Sequence, residues 1–209
     1  MRQQADYSLY LVTDSSRCTM MPLEATVGAA VRGGVTMVQL REKTLDTRTF
    51  VEMARQLRAL LAPQDIPLII NDRVDIAMAV RADGVHVGQT DMRVQDVRAL
   101  LGGDAIVGLT VERPEQIEEA SALDIDYIGI SPVFSTPSVP RGVKPWQIPG
   151  VEKARGMTSL PIVAFEGITT ANAAEVIAAG ADGVAVVSAI CGALSPKDAA
   201  EELRKAAFV

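Results

Sequence analysis

Eight short aliphatic runs, each followed by an amphipathic stretch, predict one (β/α)8 TIM barrel spanning residues 1–209. Two further observations support that reading. The runs are continuously apolar, as in a parallel sheet covered by helices, instead of alternating as in a sheet with one wet face. An Ala-Asp-Gly-Val phrase also recurs, in RADGVHVG at 81–88 and GADGVAVV at 180–187, with LDIDYIGI and RGGVTMVQL as looser echoes. A doubly wound open sheet is the alternative, but it would carry GxGxxG after the first strand, and this chain does not.

In chain order, strands are expected at 9–13, 37–41, 68–71, 84–87, 106–109, 127–130, 162–165 and 183–187. Helices are expected at 23–32, 47–61, 74–80, 94–101, 114–122, 151–155 and 171–179, with 198–207 closing the chain. The segment 47–61 shows the pattern: Phe50, Ala54, Leu57 and Leu61 recur near a 3.6 period, with Arg48, Glu52, Arg55 and Arg58 elsewhere. The glycine of the repeated phrase reads as a helix stop and tight turn, adopting backbone conformations that other residues resist.

Composition narrows the function. The chain is 48% hydrophobic over 209 residues, enough for a substantial core. No apolar run is long enough to span a bilayer, and MRQQADYSLYLVTD lacks a secretory apolar core, so a cytoplasmic protein is expected. Cys18 and Cys191 have no motif spacing and read as free thiols in a reducing compartment. A single histidine, His86, excludes multi-histidine metal sites. Net charge is −6 with no basic run, so nucleic acid is not the expected partner. An anionic small molecule remains compatible, because a local basic cluster attracts it despite an acidic exterior. Nothing in the sequence signals a particular oligomeric state.

Catalytic residues of such barrels gather where strands end. The second strand finishes MVQLREK, which puts Gln39, Arg41 and Lys43 on one face. A solvated strand end would explain them, as would an anion over that face. The third strand ends IINDRVD and the fourth VHVGQTDM. Asp72 and Asp91 each stand where they could cap the following helix, or they could meet across one gap. Two such carboxylates suit Mg2+, a hard cation held by one or two carboxylates plus substrate phosphate oxygens. At the other end of the chain, Gly167 follows strand seven, and Val187 and Ser188 follow strand eight. Loops there frequently hold phosphate on backbone N–H groups and a helix N-terminus. Two anchored phosphates imply two substrates joined in the middle.

LYLVTD, VQLREK, INDRVDIAMAVRADGVHVGQTDM, DYIGISPVF, GIT-x-x-NAAEV and AAGADGVAVVSAI occur in that order over residues 7–190 and resemble the thiamine-phosphate synthase (thiamine-phosphate pyrophosphorylase) family. The resemblance implies coupling of 4-amino-2-methyl-5-hydroxymethylpyrimidine diphosphate with thiazole phosphate, giving thiamine phosphate and pyrophosphate with Mg2+. It assigns Gln39, Arg41, Lys43 and Asn71 to the pyrimidine diphosphate and Asp72 and Asp91 to Mg2+. Lys43 would stabilise departing pyrophosphate in a dissociative substitution, with Arg41 beside it. His86 falls at the family's strand-four histidine and is expected to line the pyrimidine side or to pack as a neutral core histidine. Thr110 replaces the usual Ser and keeps its hydroxyl.

The departures lie on the thiazole side. The loop after strand six keeps Thr136 and Ser138 but has Val139 at the family's lysine, leaving Arg141 or Lys144 to compensate. Glu166-Gly167 stands where the family has Gly-Gly. A non-catalytic paralogue that binds only the diphosphate is therefore a rival. The related thiazole tautomerases are another, although they lack the aspartate kept here as Asp72 and carry a histidine where this chain has Glu112.

Overall fold

The computed structural model describes residues 5–136 and 143–208, and its eight parallel strands close into a barrel in sequence order. The order is β1 (Leu9–Val12), α1 (Leu23–Arg32), β2 (Met37–Leu40), α2 (Thr47–Leu61), β3 (Leu68–Asn71), α3 (Val74–Val80), β4 (Gly84–Val87), α4 (Val94–Leu101), β5 (Ile106–Val111), α5 (Pro114–Ser121), β6 (Tyr127–Ile130), α6 (Gln147–Met157), β7 (Ile162–Phe165), α7 (Ala173–Ala178), β8 (Gly183–Val186), α8 (Ser188–Cys191) and α9 (Pro196–Phe208). β8 pairs with β1 through Leu9–Val184 and Leu11–Val186, which removes both sheet edges. α9 packs between α7 and α1 and completes the outer ring.

Strand alternation divides the core in two. Leu9, Leu11, Val38, Leu40, Leu68 and Ile70 face outward into the helical layer, with Val27, Phe50, Leu57 and Leu203 opposite them. Tyr10, Val12, Met37, Ile69, Tyr127, Val163 and Ala185 fill the barrel interior. Both faces of the strands are mostly buried, so the runs read as largely apolar segments.

The recurring aspartate has a structural role. Asp83, Asp126 and Asp182 stand just before β4, β6 and β8, and each accepts an N–H at the start of the preceding strand: Leu68 at 2.8 Å, Val107 at 2.7 Å and Ile162 at 2.7 Å. Thr36 does the same before β2, its hydroxyl oxygen accepting the Leu9 N–H at 3.1 Å. Arg98 of α4 and Arg155 of α6 then donate to Asp126 and Asp182, tying helices to the barrel floor. The following glycine is required by close approach: a Cβ on Gly84 would lie 2.0 Å from the Ile106 oxygen, and one on Gly183 would lie 1.8 Å from the Tyr7 oxygen. Neither glycine has a positive φ, so the reason differs from the turn geometry expected from sequence.

Several element limits also differ from the expected ones. β5 runs two residues further than expected, taking Thr110 into the strand. α6 begins earlier, its first turn containing Pro149, which a helix tolerates there. The short α8 directly after β8 is absent from the sequence-based expectation.

Candidate active site

The C-terminal ends of β2, β3 and β4 bring one cluster together. Asn71 is the last residue of β3, and Asp72 follows it with φ at +61°, a left-handed conformation that a non-glycine residue adopts at some cost. The turn aims the Asp72 carboxylate across the barrel mouth instead of down its own helix. One oxygen pairs with Lys43 Nζ and the other accepts from Asn71 Nδ2. α3 has no side-chain cap, so Asp72 does not serve as one.

Asp91 behaves similarly. Its Oδ2 accepts the Gly88 N–H at 2.7 Å, and α4 also lacks a side-chain cap. The turn back over Gly88 brings its carboxylate up to that of Asp72. Burial and this neighbouring carboxyl push the Asp72 carboxyl above the usual range, against the pull of Lys43. Two anionic groups held together with one cation in contact suit a hard divalent ion. Among the described residues no group of three or more His, Cys, Asp and Glu is placed to hold a metal ion, and Asp72 and Asp91 stand there as a carboxylate pair.

β2 ends at Leu40, so Gln39, Arg41 and Lys43 do not continue as one strand face. Gln39 is buried in the barrel, where its Nε2 donates to Tyr10 Oη at 2.9 Å. Arg41 is exposed just past the strand, its N–H donating to Thr13 Oγ1 at 3.1 Å. Lys43 lies beyond it at the mouth.

His86 is buried, with Nδ1 2.8 Å from Tyr127 Oη and Nε2 2.7 Å from Thr110 Oγ1. Its ring stacks between Tyr127 and Phe165, with centroids at 5.4 and 5.1 Å. Burial lowers its pKa to about 4, so it is neutral near pH 7. Sequence reasoning missed Tyr10 and Tyr127. The signal that could have found them is a tyrosine inside each of two short buried strands, because a buried phenol needs a hydrogen-bond partner.

On the opposite rim, Glu166 (φ +71°) and Gly167 (φ +75°) turn the chain after β7. Glu166 Oε2 accepts from Thr136 Oγ1 at 3.1 Å, joining the β6 and β7 loops. Asn172 Nδ2 donates to the Gly167 carbonyl at 3.0 Å, while its Oδ1 accepts the Thr169 N–H at 2.8 Å. Val187 precedes α8, and Ser188 is the first residue of that helix. Ser138, Val139 and Arg141 lie outside the described residues, and Lys144 is exposed just after them.

The described mouth thus has an acidic and cationic half at β2–β4 and a backbone-rich half at β7–β8. Residues 9–190 match the family model for thiamine monophosphate synthase. The chain is 51% identical over 197 residues to the thiamine-phosphate synthase of Vibrio campbellii, covering 94% of this chain and 96% of that one. It is 49% identical to the thiamine-phosphate synthase of Albidiferax ferrireducens, covering 94% and 90%. The solved thiamine phosphate pyrophosphorylase from Pyrococcus furiosus superposes with a TM-score of 0.88 at 35% identity, covering 98% of this chain and 96% of that one.

Proposed function

From the premise that the chain belongs to the thiamine monophosphate synthase family, we propose that its barrel mouth couples 4-amino-2-methyl-5-hydroxymethylpyrimidine diphosphate with thiazole phosphate, releasing thiamine phosphate and pyrophosphate. The observation that carries the reading is the convergence of Lys43, Asn71, Asp72 and Asp91, with neither carboxylate capping the helix that follows it.

In this reading Asp72 and Asp91 hold Mg2+, which would neutralise charge on the diphosphate and favour its departure. Asn71 and Arg41 position the diphosphate. Lys43 leaves Asp72 to meet the phosphate oxygens, whose charge grows as the C–O bond lengthens. Gln39, His86 and Thr110 form the inner wall against the pyrimidine. Thr136, Ser138, Gly167, Val187 and Ser188 hold the thiazole phosphate, with backbone N–H groups supplying neutral donors. Dissociative substitution needs positioning and charge stabilisation more than a strong base. A neutral His86 agrees with that. We assign all 209 residues to one domain and place the activity in the cytoplasm.

A coupling assay with both phosphorylated substrates and Mg2+, following both products, tests the proposal. Stoichiometric thiamine phosphate and pyrophosphate are expected. Binding of the pyrimidine diphosphate without product would instead support the binding-only paralogue.

A further inference from the structure

Five polar side chains from five strands run through the barrel interior as one connected series. Gln39 Nε2 meets Tyr10 Oη at 2.9 Å, Tyr10 Oη meets Tyr127 Oη at 3.0 Å, and Tyr127 Oη meets His86 Nδ1 at 2.8 Å. His86 Nε2 meets Thr110 Oγ1 at 2.7 Å, completing the series at a half-buried residue near the C-terminal end of β5.

The direction of these bonds follows from the orientation of the Gln39 amide, which turns Nε2 toward Tyr10, together with a count of protons. An amide nitrogen only donates, so Tyr10 Oη accepts from Gln39. The phenolic hydrogen of Tyr10, fully buried, then needs an acceptor, and Tyr127 Oη is its other partner. Tyr127 has therefore used its acceptor position and donates to His86 Nδ1. That leaves His86 with its hydrogen on Nε2, where it donates to Thr110. The Thr110 oxygen is now an acceptor toward the interior, so its own hydrogen points away from His86. With Gln39 Nε2 turned toward Tyr10, reversing the series would leave the buried Tyr10 hydrogen without an acceptor.

Two glycines make room for this arrangement. A Cβ on Gly108 would lie 2.1 Å from Tyr127 Cζ and 2.5 Å from His86 Nδ1. One on Gly129 would lie 2.9 Å from His86 Cε1 and 2.8 Å from Phe165 Cε2. The sequence clears side-chain volume on β5 and β6 where the tyrosine and imidazole must meet.

We propose that Gln39, Tyr10, Tyr127 and His86 form a one-way hydrogen-bond relay that presents the Thr110 hydroxyl to the barrel mouth as a donor, so that the substrate atom it recognises is a hydrogen-bond acceptor. Tyr10 and Tyr127 act as positioning residues for Thr110. The proposal rests on the synthase reading only for the substrate's identity. There it selects a ring nitrogen of the pyrimidine over its exocyclic amino group.

The chain has a single histidine, so 15N-histidine labelling reports one imidazole. At pH 7.5 without substrate, the expected spectrum is a single tautomer with a protonated Nε2 and a bare Nδ1. A protonated Nδ1 would overturn the relay, and so would a tautomer mixture. Tyr127→Phe should allow both tautomers and lower kcat by roughly five- to tenfold. If the variant does not fold, the wild-type tautomer still decides. Thr110→Ser should keep the wild-type rate within a few fold, and Thr110→Val should lose roughly tenfold or more. Equal rates for Ser and Val would contradict the donor role. A protonated Nε2 in a protein that couples nothing would count against the synthase reading alone. Coupling with a protonated Nδ1 would count against the relay alone.

Discussion

Lys43 pairs with Asp72 across the ends of β2 and β3, so the cation that closes MVQLREK meets the acid that closes IIND. The pair is partly exposed, and such pairs contribute little to stability. Lys43→Ala should therefore melt within a few degrees of wild type. In the coupling assay it should lose on the order of a hundredfold in kcat, the typical effect of deleting one donor to a developing anion. Unchanged kinetics would make the basic residues of this segment a solvated strand end and nothing more.

The barrel interior gives a stability prediction through Gly108. A methyl group there would collide with the Tyr127 and His86 rings, so Gly108→Ala should destabilise by about 1–3 kcal/mol in urea unfolding. Gly156, inside α6, has nothing but its own chain neighbours and helix backbone within 4 Å of the place a Cβ would occupy, and its φ is not positive. Gly156→Ala should be stabilising by roughly 0.5–1 kcal/mol. Equal effects at the two sites would remove the packing argument.

His86 sets a pH dependence. Its folded pKa is lowered to about 4 from an ordinary value near 6.5, so the unfolded chain binds the proton more readily. Its contribution to stability is thus complete above pH 6.5 and declines as pH falls from there toward 4. The loss amounts to as much as roughly 3 kcal/mol at the lower end. An NMR titration of the one histidine should place its midpoint near 4 while the protein stays folded. A midpoint near 6.5 would contradict the burial argument.

Much of the fold is legible in the sequence. Strand and helix periods differ sharply, and a closed parallel barrel keeps every strand apolar, so β3, β4, β6 and β7 match their expected limits. Asp72 and Asp91 are ambiguous there because a strand-end aspartate suits a cap as well as a ligand. Backbone geometry, above all the left-handed turn at Asp72, decides which way each carboxylate points. The extra helix α8 is hidden because SAIC is too short to show a period. The relay is hidden for another reason. Its members come from five strands between residues 10 and 127, and only barrel closure brings their side chains together. Gly84 and Gly183 stand out as glycines, yet the neighbouring strand that requires them is visible only in three dimensions.

The central claim is that the Asp72–Asp91 pair holds Mg2+ for diphosphate release. Its most direct test is the rate of pyrophosphate release against Mg2+ concentration for wild type, Asp72→Asn and Asp91→Asn, with thermal melts alongside. Wild type should depend saturably on Mg2+ and stop when the metal is chelated. Both variants should need at least about tenfold more Mg2+ or lose turnover outright, with melting temperatures close to wild type. Wild-type rates and Mg2+ dependence in both variants would contradict the claim.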